Sequence, residues 1–149
     1  MIEPGSAAPD FALPDQDYNE VKLSDYAGGK LVLVFYPGDF SAVCSDQLAL
    51  YQEVLGEIEQ AGARLIGISV DSSDAHRAFR EKLGLTMPLL ADFHPKGEVA
   101  RAYGTYSEEF GKSGRCLFLV DESGTVAWAY ESPPLEVPGA NLIFDALAA

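Results

Sequence analysis

Cysteine and histidine are scarce in this sequence, which has two of each among its 149 residues. Two cysteines are too few for the disulfide framework of a small secreted protein. Cys44 and Cys116 are not spaced like metal ligands, and His76 and His94 stand far from both of them in the sequence. Because a structural zinc site usually takes four ligands from such residues, we expect no metal site and no cofactor.

Long apolar segments and basic residues are also lacking. The longest apolar run, 31–36, is far shorter than the roughly 20 residues that a membrane span needs. The first residues have neither the basic region nor the apolar stretch of a secretory signal, so we expect a cytoplasmic protein. Lysine and arginine number 10 against 23 acidic residues, which gives a net charge of −13. Such a surface repels phosphate backbones and anionic membranes, so we expect neither nucleic-acid nor membrane binding.

The composition that remains is that of an ordinary globular protein. Hydrophobic residues make up 48% of the chain and charged residues 22%, which argues against disorder. No repeat, low-complexity tract or linker divides the chain, and its length suits one sizeable core. We therefore predict a single domain over residues 1–149.

Alternating strands and helices are predicted along the chain. Two short alternating segments on either side of a polar turn predict a hairpin near the N-terminus. Continuous apolar runs predict buried strands, and apolar residues at helical spacing predict helices. The predicted strands are 11–13, 21–23, 31–36, 65–70, 89–91, 116–120 and 125–130, and the predicted helices are 44–60, 75–83, 96–103 and 139–147. This order predicts an α/β fold of the thioredoxin-like kind, with a mixed central sheet flanked by helices and an N-terminal hairpin extension.

Cys44 lies where a buried strand, predicted to end at Pro37, leads through a loop into a helix that Cys44 opens. A helix N-terminus favours an anion, so this position favours the reactive thiolate. Ser41, three residues earlier, can turn its hydroxyl toward the sulfur and toward a substrate oxygen. Pro37 lacks an N–H group and can shield the sulfur from bulk water. A small buried hydrophobic residue is the alternative interpretation of Cys44.

A recognisable pattern, P-x-x-x-[ST]-x-x-C, is formed by Pro37, Ser41 and Cys44 after a strand that ends in Phe-Tyr. The pattern resembles the active-site signature of the peroxiredoxins, of the AhpC/TSA superfamily. The resemblance extends across nearly the whole chain, through segments 8–13, 90–93, 102–104 and 114–121. Segments 92–95 and 145–148 are most similar to the one-cysteine group typified by alkyl hydroperoxide reductase E.

The resemblance implies a thiol peroxidase. By position, Cys44 is the nucleophile that attacks a hydroperoxide and becomes a sulfenic acid. Arg115 stabilises the thiolate and the departing oxygen, while Ser41 and the Cys44 N–H group hold the two peroxide oxygens. The residues alone leave a surface salt bridge open as the role of Arg115. A peroxide-sensing interaction protein that uses the same cysteine is the alternative function.

The second cysteine does not match a resolving cysteine of the family. Some relatives carry that residue five positions after the nucleophile, where this chain has Ala49. Neighbouring residues of a strand point to opposite faces, so Cys116 faces away from the site if Arg115 faces it. We therefore expect a structural role for Cys116. An external thiol is then expected to reduce Cys44: thioredoxin, glutaredoxin or a low-molecular-weight thiol.

Three residues near the site are left with open roles. Gln47 stands where the family commonly has a glutamate, and it either supports Arg115 or occupies an exposed helix position. Phe40 is a candidate for an apolar wall of the site or for a subunit contact. His94 lies in a segment that the resemblance places near the site or a dimer contact, and we expect a loop residue there rather than a proton carrier. The resemblance also implies a homodimer.

Overall fold

A five-stranded mixed sheet forms the centre of the molecule, and the computed structural model describes all residues from 1 to 149. Numbered in chain order, its strands are β3 (Lys30–Phe35), β4 (Ala63–Ser69), β5 (Leu89–Ala91), β8 (Arg115–Val120) and β9 (Val126–Ser132). They lie in the order β5–β4–β3–β8–β9, where β3, β4 and β5 are parallel and β8 and β9 are antiparallel to their neighbours. The predicted α/β class with a mixed central sheet is confirmed.

Two small hairpins lie outside the central sheet. Strands β1 (Ala12–Pro14) and β2 (Glu20–Lys22) pair antiparallel, which confirms the predicted N-terminal hairpin. Strands β6 (Tyr106–Ser107) and β7 (Lys112–Ser113) form a second hairpin that the sequence analysis missed. Strands of two residues are too short to display the alternation that identifies a strand.

Helices cover both faces of the sheet. They are α1 (Ala42–Glu53), α2 (Leu55–Gln60), α3 (Ser73–Leu83), α4 (Glu98–Tyr103) and α5 (Ala140–Ala148), with a 3₁₀ helix at Leu23–Tyr26. None of them is long and apolar enough to cross a membrane. Helix α3 begins after Ser72, whose hydroxyl accepts the Ala75 N–H, and ends at Gly84 in the left-handed conformation.

The single helix predicted over 44–60 is wrong, because the chain forms two helices there. Val54 separates them with φ −107° and ψ 10°, and its N–H donates to the Tyr51 carbonyl three residues earlier. The buried residues Tyr51, Leu55 and Ile58 keep helical spacing across this break. The hydrophobic pattern therefore continues where the helix does not, and pattern alone cannot locate the break.

The sheet divides the core into two layers. Alternate residues of β3 and β8 enter each layer, as the two-residue period of a strand requires. One layer includes Val32, Val34, Leu117 and Leu119 and is covered by α1, α2, α3 and α5. The other includes Leu31, Leu33, Phe35, Cys116 and Phe118 and is covered by α4 and the N-terminal segment.

Strand pairing brings two distant parts of the chain to one edge of the sheet. Because β8 runs antiparallel to β3, the first residues of β8 lie beside the last residues of β3, with Phe35 opposite Cys116. The chain leaves β3 at this edge and enters α1 after a short loop. Any site built at the start of α1 therefore receives side chains from the start of β8.

Candidate active site

The first turn of α1 holds the predicted nucleophile. Ser41 is the N-cap, and its hydroxyl accepts the N–H of Cys44 at 3.3 Å while donating to the Gly38 carbonyl at 3.3 Å. The sequence predicted that Cys44 is the first residue of the helix. The helix instead begins at Ala42, which makes Cys44 its third residue. Cys44 nevertheless lies within the first turn, where unpaired N–H groups favour an anion.

Cys44 points inward from α1. The residue is buried, together with Leu48 and Tyr51 on the same face of the helix. Strand β3 was predicted to end at Pro37, but it ends at Phe35. Pro37 is half-buried in the loop that follows the strand. The sulfur thus lies at the boundary between the core and the loop that joins β3 to α1.

Arg115 reaches the sulfur from the start of β8. Its side chain is 3% exposed, and Nη1 donates to Sγ of Cys44 at 3.3 Å and to Oε1 of Gln47 at 2.6 Å. Nε and Nη2 both donate to the Pro134 carbonyl, at 3.2 and 2.9 Å. The surface salt bridge left open by the sequence is therefore wrong: Arg115 is buried and takes no part in the ion pairs of the structure.

The buried guanidinium has consequences for the thiol beside it. A buried charge is costly unless an opposite charge lies near it, and no carboxylate pairs with Arg115. The nearest group that can become an anion is the Cys44 thiol. The contact therefore places a positive charge against the sulfur, at the helix end where the first N–H groups also point.

Gln47 is part of the same contact set. The residue is buried, so the exposed helix position left open by the sequence is wrong. Its Oε1 accepts from Arg115, while its Nε2 donates to the Tyr51 hydroxyl at 3.3 Å, which donates in turn to the Pro138 carbonyl at 2.8 Å. Burial raises the pKa of Tyr51 to about 12, so the phenol remains a donor at neutral pH. Each polar atom of the amide is thereby matched.

Cys116 lies on the opposite face of the sheet. It is buried in the core layer that contains Phe35 and Phe118, whereas Cys44 belongs to the other layer. Neither cysteine is in a disulfide. Burial raises the pKa of the Cys116 thiol to about 12, with the Glu131 carboxylate as a smaller cause. Cys116 is therefore a neutral core residue that faces away from Arg115, as strand geometry predicts.

The loop before α1 contains a polar cluster that the sequence analysis missed. Nδ1 of His76, on α3, lies 2.7 Å from Oδ2 of Asp39, and both side chains are fully buried. Tyr36 donates to Oδ1 of Asp39 at 2.6 Å, and the Asp39 N–H donates to Asp71 at 2.9 Å. Asp39 follows a predicted strand and His76 lies in a predicted helix, but nothing in their spacing indicates that they meet.

This cluster is the one group of residues that could hold a metal ion by proximity. Ligand atoms of Asp39, Asp71 and His76 all lie within 4.8 Å of one another. Hydrogen bonds within the cluster already account for that proximity, and no buried polar side-chain atom is left without a partner. The arrangement therefore gives no reason to add an ion.

Phe40 and His94, the last two candidates from the sequence, lie at the surface. Phe40 is 49% exposed, has a positive φ of 65° and packs its ring edge-on against Phe79. A left-handed conformation costs a residue with a Cβ atom roughly 1–2 kcal/mol, so neighbouring contacts must hold it. His94 is exposed in the loop after β5, which confirms the predicted loop position.

Comparison with known proteins gives the family. The model of the AhpC/TSA family matches residues 4–129. The chain is 39% identical over 150 residues to alkyl hydroperoxide reductase E of Mycobacterium tuberculosis, covering 100% of this chain and 98% of that protein. The predicted resemblance to the peroxiredoxins, and to alkyl hydroperoxide reductase E among them, is confirmed.

Solved structures show the same architecture. The crystal structure of Enterococcus faecalis AhpC superposes with a TM-score of 0.91 at 26% identity, covering 99% of this chain and 92% of that one. The crystal structure of peroxidoxin BcpB from Mycobacterium tuberculosis superposes with a TM-score of 0.88 at 28% identity, covering 99% and 96%. The predicted thioredoxin-like fold is confirmed. With a family match over most of its length and a relative aligned from end to end, the chain belongs to the AhpC/TSA family and is a peroxiredoxin, a thiol peroxidase.

Proposed function

We infer that Cys44 is the peroxide-reducing cysteine of this peroxidase and that it works in a one-cysteine cycle. The observation that carries the inference is the 3.3 Å contact between the buried Arg115 guanidinium and the Cys44 sulfur. A buried cation beside a thiol at a helix N-terminus favours the thiolate, which is the nucleophilic form. The substrates are hydrogen peroxide and small organic hydroperoxides.

In the first half-reaction the Cys44 thiolate attacks the terminal oxygen of the hydroperoxide. A sulfur–oxygen bond forms, the oxygen–oxygen bond breaks, and the leaving oxygen takes a proton and departs as water or an alcohol. The cysteine becomes a sulfenic acid. Arg115 stabilises the negative charge first on the sulfur and then on the leaving oxygen.

Ser41, Pro37 and Gln47 prepare the site for that step. The Ser41 hydroxyl and the Cys44 N–H, which bond to each other at 3.3 Å, offer the polar groups that hold the peroxide oxygens in line with the sulfur. Pro37 limits the access of water at the same edge. Gln47 fixes the guanidinium by accepting from Nη1 at 2.6 Å.

In the second half-reaction an external thiol reduces the sulfenic acid. The thiol attacks the Cys44 sulfur and water leaves, which gives a mixed disulfide that a second thiol resolves. Ala49 occupies the nearby resolving position, and Cys116 is buried across the sheet from Cys44. These facts support a reductant from outside the chain: thioredoxin, glutaredoxin or a low-molecular-weight thiol. A cytoplasmic location and a homodimer complete the proposal.

Peptide mapping after oxidation tests the cycle. The reduced protein is treated with one equivalent of hydrogen peroxide, trapped with dimedone and digested without reductant. We expect the dimedone adduct on Cys44 and an unmodified Cys116. Cys116→Ser is the matched control and is expected to consume peroxide like the wild type, while Cys44→Ser consumes none. A stoichiometric disulfide between the two cysteines would contradict the one-cysteine cycle.

Turnover separates the enzyme from a peroxide sensor. The wild type is supplied with excess hydrogen peroxide and, in parallel reactions, with thioredoxin, with glutaredoxin and glutathione, or with a low-molecular-weight thiol. We expect many equivalents of peroxide to be consumed with at least one reductant. Oxidation that stops after one equivalent with every reductant would favour the sensor.

A further inference from the structure

The polar cluster around Asp39 fixes the backbone immediately before the reactive cysteine. Asp39 lies in the loop between β3 and α1, two residues before the N-cap Ser41. Its backbone N–H donates to Oδ2 of Asp71, and its carboxyl group accepts from Tyr36 and contacts His76. Both the main chain and the side chain of Asp39 are therefore held, by residues that follow β3 and β4 and by helix α3.

His76 connects this loop to the rest of the sheet. Its Nδ1 lies 2.7 Å from Oδ2 of Asp39, and its Nε2 lies 3.0 Å from the carbonyl of Leu90 on β5. A carbonyl can only accept, so Nε2 bears a hydrogen. One further proton must lie between Nδ1 and Oδ2, since two bare acceptors would repel each other at that distance. The contact between Asp39 and His76 is therefore a hydrogen bond, and the imidazole ring links the loop to β5.

Phe40, between Asp39 and Ser41, has a backbone conformation that requires its neighbours to be held in place. Phe40 has φ 65°, a conformation that an aromatic residue adopts only where its surroundings enforce it. On one side of Phe40 the cluster holds Asp39, and on the other Ser41 caps α1 by accepting the Cys44 N–H. We expect release of Asp39 to let Phe40 relax to a negative φ, and this change would turn the Ser41 hydroxyl away from Cys44.

We propose that His76 is a positioning residue for the peroxide reaction: through Asp39 it holds the Phe40 turn and so aligns Ser41 and the Cys44 N–H with the sulfur. The inference rests on the proposed role of Cys44. His76 itself makes no hydrogen bond to the sulfur or to Arg115. Its effect is on the geometry that receives the peroxide, since displacements of about 1 Å can slow a reaction roughly 100-fold.

Two substitutions at position 76 separate positioning from simple stability. His76→Leu removes both ring nitrogens, and we expect the second-order rate constant of Cys44 oxidation by hydrogen peroxide to fall by about 10- to 100-fold. His76→Asn keeps an amide N–H near the place of Nδ1 but cannot reach Leu90. We expect His76→Asn to recover most of the rate although its melting temperature falls. If His76→Leu does not fold, His76→Asn and Asp39→Ala carry the comparison, with the rate lowered in the second alone.

The matched control is a hydrogen bond on the other face of the sheet from Cys44. Tyr103 is buried in the opposite core layer and donates to the Pro9 carbonyl at 2.7 Å. Tyr103→Phe is expected to lower the melting temperature and to leave the peroxide rate constant unchanged. Alkylation of Cys44 by iodoacetamide is measured in every variant, because a small alkylating agent does not need the peroxide geometry. We expect His76→Leu to lower the ratio of the peroxide rate to the alkylation rate.

Coupling to Asp39 completes the experiment. If His76 acts through Asp39, the double variant His76→Leu/Asp39→Ala reacts no more slowly than the slower single variant. A wild-type rate with a folded His76→Leu protein, or losses that multiply in the double variant, would overturn this inference alone. A wild-type protein whose Cys44 fails to react with peroxide would overturn the proposed function, and this inference with it.

Discussion

The guanidinium of Arg115 lies 3.3 Å from the sulfur of Cys44, although the two residues are 71 positions apart in the chain. The contact exists because β8 pairs antiparallel with β3 and starts where β3 ends. It places a buried cation with no carboxylate partner against a thiol in the first turn of a helix. Most of the chemical behaviour expected of this protein follows from that contact.

The first prediction concerns the shape of that cation. Arg115→Lys keeps the charge, but a single ammonium group cannot bond the sulfur, Gln47 and the Pro134 carbonyl in the same fork. We expect the rate constant for hydrogen peroxide to fall by about 100- to 1,000-fold. Consumption of hydrogen peroxide after rapid mixing with the reduced protein measures it. Arg101→Lys, at an exposed position of α4, is the control and should react at the wild-type rate. Equal rates for both variants would remove Arg115 from the mechanism.

The second prediction concerns the N-cap of α1. Ser41→Ala removes the oxygen that accepts the Cys44 N–H, and we expect a loss of about 1 kcal/mol in the free energy of unfolding. The peroxide rate should fall as well, because the same hydroxyl orients the substrate. Ser41→Thr keeps the hydroxyl and should retain both properties more closely. Urea unfolding and peroxide kinetics test this pair; a Ser41→Ala protein with full activity would reduce Ser41 to a structural cap.

The third prediction concerns the support of Arg115 by Gln47. Gln47→Leu leaves a buried guanidinium N–H and the Tyr51 oxygen without their partner, which costs about 1–3 kcal/mol of stability. We expect slower peroxide reduction in this variant, since Nη1 loses the acceptor that fixes it. Gln47→Glu preserves an acceptor for Arg115 and should react more nearly like the wild type. The rate constants of the two variants decide the matter, and equal rates in Gln47→Leu and the wild type would show that Arg115 needs no such support.

The fourth prediction is a pH dependence that arises from Cys116. Burial raises the pKa of this thiol from 9.0 to about 12, so the folded protein holds the proton more tightly than the unfolded chain does. The contribution of Cys116 to the free energy of unfolding is fully present below pH 9 and is lost as the pH rises toward 12. Between pH 7 and pH 10 the loss is about 1.4 kcal/mol.

Cys116→Val tests this dependence, because valine fills a similar volume and does not titrate. The free energy of unfolding is measured in urea at pH 7 and pH 10 under reducing conditions. The decrease between the two pH values should be smaller in Cys116→Val than in the wild type by about 1.4 kcal/mol. All other groups are the same in both proteins, so their contributions cancel in the comparison. Identical decreases would mean that Cys116 is not protected by the fold.

Local sequence signals located most of the helices and strands, and they placed Ser41 and Cys44 at the start of a helix. The apolar runs of β3 and β8 and the Ser72 and Gly84 caps of α3 are visible without any structure, because burial and capping have a short range in sequence. The break at Val54 is not visible, since the apolar spacing continues across it. The hairpin of β6 and β7 is too short for its pattern to register.

The sequence by itself determined the α/β class, the position of Cys44 in the first turn of a helix and, through alternation along β8, the opposite directions of Arg115 and Cys116. These features depend on neighbours in the chain. Tertiary structure alone decided that Gln47 is buried against Arg115 and that His76 meets Asp39. Those contacts join residues from separate elements, and their geometry is fixed by the pairing of β3 with β8 and by the packing of α3 beside β5. No local pattern encodes such distances.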